Sequence, residues 1–335
     1  GWEDAPFHVG WIIPKSAFDR HETHGFRLIR ALDEESALDA LRYPTQRTVA
    51  RDYSIEEPVS DAEYQYFRRL YTYDSYPLNP TVEQVDTFDH WIREKVYFDV
   101  PYGERGGAYL YLPRDGSPPY QTVIYWGGSG LMAYESIDEE WVEGFDFMVR
   151  SGRAVALPVF KGAYERDDSL FSTGYGVVSA NPMGTVYRDY ITWWVKDLSA
   201  TIDYLGTRDD LDDGALAYYG LSFGGWTAPI VLAVEPRFKA AVTNVGGLTY
   251  RRHLPEGDPI NFVTRVRTPF LMINGKYDIV FPYETNQLPM FEWLGTPPED
   301  KTHHVVDASH LVPRDELITE TLNWLDKYLG VPEGG

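Results

Sequence analysis

Apolar residues keep two different rhythms along the chain, and the change falls near residue 95. Residues 1–30 show no sustained period, because Pro6, Gly10, Pro14 and Gly25 interrupt them and predict loop. Residues 32–41 form a short helical candidate. Residues 61–73 form a second, with Tyr64, Phe67, Leu70 and Tyr71 at helical spacing. Pro77 and Pro80 break the chain ahead of an expected helix leading to Trp91.

From residue 96 onward, strand-length and helix-length apolar patterns alternate. Residues 96–100 and 108–112 flank Pro101, Tyr102 and Gly103, which predicts a hairpin. Residues 122–126 predict a strand, followed by Gly127, Gly128, Ser129 and Gly130. A helix is expected over 139–150, ended by Gly152, and a strand over 154–160. Residues 161–184 make a long connection rich in Gly, Asp and Tyr, and connections of that length often carry function. Residues 185–205 place Ile191, Trp194, Val195, Leu198, Ile202 and Leu205 on one helical face. Strands are expected at 215–219, 238–243, 269–273 and 304–306, with a helix following Gly225 and running to about 234. A last helix begins at Pro313 and stops at Gly330. Strands alternating with helices predict an α/β fold, a mainly parallel sheet covered on both faces. Residues 1–94 would be an extension, whose helical part packs its aromatic residues on a domain spanning 95–330.

Composition narrows the function. The 335 residues include 30 Lys and Arg against 51 Asp and Glu, for a formal charge of −21. That balance argues against nucleic acid as a partner, since phosphate binding rests on displacing counterions with basic side chains. The complete lack of Cys excludes a disulfide framework, thiolate metal sites and a Cys nucleophile. With 43% hydrophobic and 15% aromatic residues, the chain can bury a large core. No run approaches the roughly 18 apolar residues of a membrane span, and 228–234 is typical of the longest. The N-terminus shows no basic region ahead of an apolar stretch, and a cytoplasmic location is expected from that. It also lacks an initiator Met, as in a processed chain or a piece of a longer one.

The sharpest chemical signal is Gly220-Leu221-Ser222-Phe223-Gly224, directly between a predicted strand and a predicted helix. This is the context a G-x-S-x-G nucleophile elbow requires. A serine hydroxyl needs a base to take its proton and a carboxylate to orient that base. His310 lies just beyond the last predicted strand, where a loop-borne base belongs; His303 and His304 enter that strand, and His253 falls among expected surface loops. Asp278 ends the strand and turn that begin at Phe270, with Asp307 as the alternative acid. An oxyanion would be held by the N–H of Phe223 together with one from Gly128 or Ser129. Trp126, Tyr164 and Trp226 are candidates for lining a substrate cleft. His21-Glu22-Thr23-His24 is one residue short of H-E-x-x-H, and no G-x-G-x-x-G or Walker lysine is present. No metal or organic cofactor is expected.

With the elbow at Ser222, Asp278 at a strand end and His310 on the following loop, the chain resembles the α/β-hydrolase superfamily. The resemblance implies an eight-stranded-type sheet and a Ser-His-Asp hydrolase with a small-molecule ester as substrate. The Ser222-Phe223-Gly224-Gly225 elbow is similar to those of prolyl-oligopeptidase-type and acetyl-esterase-type members. The chain also resembles the hydrolase portion of composite bacterial proteins that carry kinase and formylglycine-generating-enzyme-like domains. Stretches 70–74 with 77–79, 216–220, 235–242 and 258–262 carry that likeness, and 16–20 with 25–28 resemble the tail of the preceding domain. It departs from them at Trp126-Gly127-Gly128, where a Pro-Gly-Ser loop would be expected. Two other readings remain open: a peptidase of the prolyl-oligopeptidase type, and a non-catalytic binding module of a signalling protein.

Overall fold

The computed structural model describes residues 51–132, 134–166 and 183–332. The helical candidate at 32–41, the loop-like 1–30 with His21 and His24, and most of the connection after Lys161 lie outside these residues.

The described residues form an α/β fold in which helices cover both faces of a nine-stranded mixed sheet. The strands are β1 (Thr81–Thr87), β2 (Trp91–Asp99), β3 (Arg105–Pro113), β4 (Tyr120–Trp126), β5 (Ala154–Pro158), β6 (Leu211–Leu221), β7 (Ala240–Asn244), β8 (Phe270–Gly275) and β9 (Lys301–Val306). Their spatial order is β1-β2-β3-β5-β4-β6-β7-β8-β9. Pairings from β5 through β9 are parallel, whereas β1, β2 and β3 add an antiparallel edge. The central strands β5, β7 and β8 are buried along their whole length, as expected for a sheet covered on both faces. Strand order reverses between β4 and β6. In open α/β sheets such a switch point opens a crevice at the carboxyl ends of the strands, where ligands bind.

Five helices matter for the site: α1 (Asp61–Tyr71), α2 (Asp146–Arg150), α3 (Thr185–Leu205), α4 (Phe223–Val234) and α5 (Arg314–Leu329). A capping box starts α1, with Ser60 accepting from the Glu63 N–H while the Glu63 carboxylate accepts from the Ser60 N–H. The α1 face carrying Tyr64 and Tyr71 packs on the ring of Phe262, and their hydroxyls donate to the carbonyls of Ala233 and Glu256. Helix α3 spans the residues its periodicity predicted. Pro313 caps α5, and Gly330 ends it at φ +86°, a conformation glycine adopts without penalty.

Two expected elements differ from those observed. Residues 81–87, ahead of Trp91, are strand β1 and not a helix. Their composition explains it, since Thr81, Val82, Val85 and Thr87 are β-branched and pair in register with β2. The helix expected over 139–150 is broken into 3₁₀ turns at Ile137–Glu139 and Val142–Gly144 before α2. Gly144 interrupts it, lying so close to Trp141 that a side chain there would touch the ring at 3.1 Å.

Candidate active site

Three loops leave the carboxyl ends of β6, β8 and β9, and each brings one candidate residue to the crevice. Ser222 sits between β6 and α4 at φ +50° and ψ −96°, a region L-residues avoid and one that costs roughly 1–3 kcal/mol. The turn is held by the Ser222 N–H to the Asn244 carbonyl (2.8 Å) and the Gly224 N–H to the Gly127 carbonyl (3.2 Å). The Tyr218 hydroxyl adds a bond to the Gly224 carbonyl (2.6 Å). Both elbow glycines are required by contact: a Cβ on Gly220 would lie 2.5 Å from the Gly224 backbone, and one on Gly224 would strike the Trp126 carbonyl.

Asp278 follows β8 and is buried, 3% exposed. Its Oδ1 accepts from the N–H groups of Val280 (2.7 Å) and Phe281 (3.1 Å), which leaves Oδ2 turned to His310 Nδ1 at 2.8 Å. His310 Nε2 in turn lies 2.9 Å from Ser222 Oγ. The acid and histidine loops are joined by backbone bonds from Lys276 N–H to Val306 O and from Tyr277 N–H to Ala308 O. Gln287, which the sequence reading did not single out, is fully buried and donates to the carbonyls of Gly275 and Phe281, bracing the turn around Asp278. A buried glutamine with no partner in sequence gives no local signal, so only the fold reveals this.

The remaining candidates separate clearly. Asp307 is exposed. His303 stacks against Tyr283 and Phe291, and His304 lies 3.2 Å from Glu316, both on the edge strand β9. His253 corrects its expected place on a surface loop. It is 3% exposed, between Tyr187 and Trp226, with both ring nitrogens unpartnered. Phe223 opens α4, where first-turn N–H groups have no intrahelical acceptor. Gly128 lies beside the elbow, so that a Cβ on it would stand 3.9 Å from Ser222 Cβ. Ser129 and Trp226 line a cavity of about 170 Å³ at Ser222, together with Met132, Phe223, Val280 and Phe281. Trp126 and Tyr164 do not line it. Trp126 is packed against Phe160, Trp194 and Phe223, and Tyr164 is buried with its hydroxyl on Glu140. A larger hollow of about 650 Å³ lies by Tyr73, Asp203 and Arg237, near the opposite ends of the strands.

Burial, with help from the charges of Arg51 and Arg251, lowers the His253 pKa from 6.5 to about 3. The unfolded chain therefore binds a proton between those values that the folded chain does not. His253 then contributes stability present above pH 6.5 and lost as pH falls toward 3, at about 1.4 kcal/mol per pH unit. Urea unfolding of a His253→Phe variant is expected to show a shallower loss of stability between pH 6 and 4 than the parent. An unchanged slope would remove His253 from the acid limb.

Among the described residues, no group of three or more His, Asp or Glu side chains could hold a metal ion, and no helix is long and apolar enough to cross a membrane. Residues 164–258 match the prolyl oligopeptidase family. A putative hydrolase of Bacillus subtilis (strain 168), YtaP, is 23% identical over 186 residues, which cover 50% of this chain and 58% of that relative's length. Among solved structures, the acetyl xylan esterase from Paenibacillus sp. R4 superposes with a TM-score of 0.63 at 16% identity, over 82% of this chain and 97% of that one. Acetyl xylan esterase 1 from Thermoanaerobacterium sp. JW/SL YS485 gives 0.62 at 15%, over 85% and 98%. The chain thus shares its overall fold, that of the α/β-hydrolases, with these solved structures.

Proposed function

We propose that the chain is a serine hydrolase that cleaves small carboxylic esters through an acyl-enzyme. The observation that carries this reading is the unbroken run of hydrogen bonds from Asp278 through His310 to Ser222, at a switch point of the sheet. His310 Nε2 takes the proton as Ser222 Oγ attacks the ester carbonyl. Asp278 holds the proton on Nδ1 and stabilises the imidazolium that forms. The Phe223 N–H and one from the Gly128–Ser129 loop receive the oxyanion. The alcohol leaves with the proton from Nε2, and water then repeats the sequence to release the acid and regenerate Ser222.

The size of the cavity supports a short acyl group, because the space lined by Met132, Trp226 and Phe281 is about 170 Å³. Sites for drug-sized ligands are larger, about 300–1,000 Å³. Across 4-nitrophenyl esters from acetyl to octanoyl, kcat/KM is expected to fall by roughly tenfold or more once the chain outgrows this space. A maximum at octanoyl would contradict the small-acyl reading. The match of residues 164–258 to the prolyl oligopeptidase family favours a second reading, amide cleavage. Aminoacyl anilides turned over faster than acetyl esters would establish that one instead.

A further inference from the structure

Glu140 is a carboxylic acid placed where its burial needs a reason. It is 7% exposed, and no described Lys or Arg forms an ion pair with it. Its Oε2 accepts from the Tyr164 hydroxyl at 2.6 Å. Burial favours its protonated form, opposed by the hydroxyl and N–H donors around it. On the other side it lies against Gly127, so closely that a Cβ there would meet the two carboxylate oxygens at 3.1 and 3.4 Å. The Gly127 carbonyl meanwhile accepts from the Gly224 N–H inside the elbow. Gly127 is therefore held between the Ser222 turn, which its carbonyl meets, and the Glu140 carboxyl group beside its Cα.

Tyr164, which holds that carboxyl group, is itself held under strain. Its φ is +50°, unusual for a bulky residue and sustained only where the surroundings impose it. The surroundings are a tight turn in which the Gly162 N–H bonds to the Arg166 carbonyl and the Arg166 N–H to the Ala163 carbonyl, both at 2.9 Å. Arg166 anchors that turn to Asp197 on α3 through a buried ion pair at 2.9 Å. A rigid series runs from α3 through Tyr164 and Glu140 to the loop after β4.

We propose that Glu140, clamped by Tyr164, is a positioning residue that fixes the Gly127–Gly128 peptide for oxyanion stabilisation, an inference that rests on the serine-hydrolase reading. Preorganised donors stabilise a transition state because they need not reorient as charge develops. Releasing the carboxyl group frees the peptide to move and weakens that stabilisation while leaving the relay intact.

The test compares Glu140→Leu, Glu140→Gln and Tyr164→Phe with the parent, using 4-nitrophenyl acetate and a boronic acid that adds to a nucleophilic serine. Glu140→Leu is expected to lower kcat/KM by roughly 10–100-fold, less than outright loss of a donor, chiefly through kcat. Boronic acid affinity should weaken by a similar factor. Glu140→Gln keeps an acceptor for Tyr164 and should recover most of the loss, with Tyr164→Phe intermediate. Thermal melts identify the folded variants, and Tyr164→Phe decides the matter if Glu140→Leu does not fold. Parental kcat/KM and boronic acid affinity in the folded variants would overturn the inference, as would a change confined to KM. Turnover retained in Ser222→Ala would instead overturn the hydrolase reading, whatever Glu140 does.

Discussion

Ser222→Ala is expected to lower kcat on 4-nitrophenyl acetate by roughly 10⁴–10⁶ while the protein stays folded. The first half follows from chemistry, since alanine has no nucleophile and His310 then has no proton to take. The second follows from the contacts. Among the described residues the Ser222 hydroxyl hydrogen-bonds to the His310 ring, whereas the turn is held by backbone bonds to Asn244 and between Gly224 and Gly127, which alanine keeps. Alanine carries the same positive-φ penalty as serine, so the melting midpoint should move little, in keeping with about 1 kcal/mol or less. Steady-state kinetics and a thermal melt on the same preparation check both halves. Labelling with a fluorophosphonate followed by peptide mapping should mark Ser222 in the parent and nothing in the variant. Turnover within about tenfold of the parent would end the proposal.

Asp278→Asn should cost nearly as much by another route, roughly 10⁴ in kcat. The asparagine carbonyl can still accept from Val280 and Phe281, so the turn at the end of β8 survives. Its amide nitrogen then faces His310 Nδ1 and, being a donor, requires that nitrogen to be the acceptor. The proton moves to Nε2, which points at Ser222 Oγ as a donor when it should accept. The protein keeps its shape and loses its base. Loss of less than about tenfold would place the orienting role elsewhere, and Asp307, exposed on the neighbouring loop, would be the residue to examine next.

The two variants probe residues whose chemistry can be read without coordinates. Ser222 is marked by glycines on either side, and those glycines follow from the near contact of β6, α4 and the Trp126 carbonyl. Asp278 and His310 are marked by their position after apolar runs short enough to be buried strands. Helix α3 is legible because its apolar face, from Ile191 to Leu205, repeats over about four turns. Strand β1 departs from the expected helix because its seven mostly polar, solvent-facing residues carry no burial pattern, and β-branching is the local feature that favours a strand. His253 was misplaced because the flanking arginines suggest solvent, whereas the ring is enclosed by Tyr187 and Trp226 from distant parts of the chain.

The sequence by itself determined the α/β alternation, the elbow and the residue types able to pass a proton, because local periodicity and backbone sterics are encoded over a few neighbouring positions. Tertiary structure alone decided which buried groups touch. The order of strands brings the loop after β4 beside the one after β6, where the Gly127 carbonyl accepts from the Gly224 N–H. The folding of the segments after β4 and β8 sets Glu140 against Gly127 and Gln287 on the carbonyls of Gly275 and Phe281. Such contacts join segments with no periodic relation to one another. Their energies depend on burial and distance, and neither exists until the sheet has assembled.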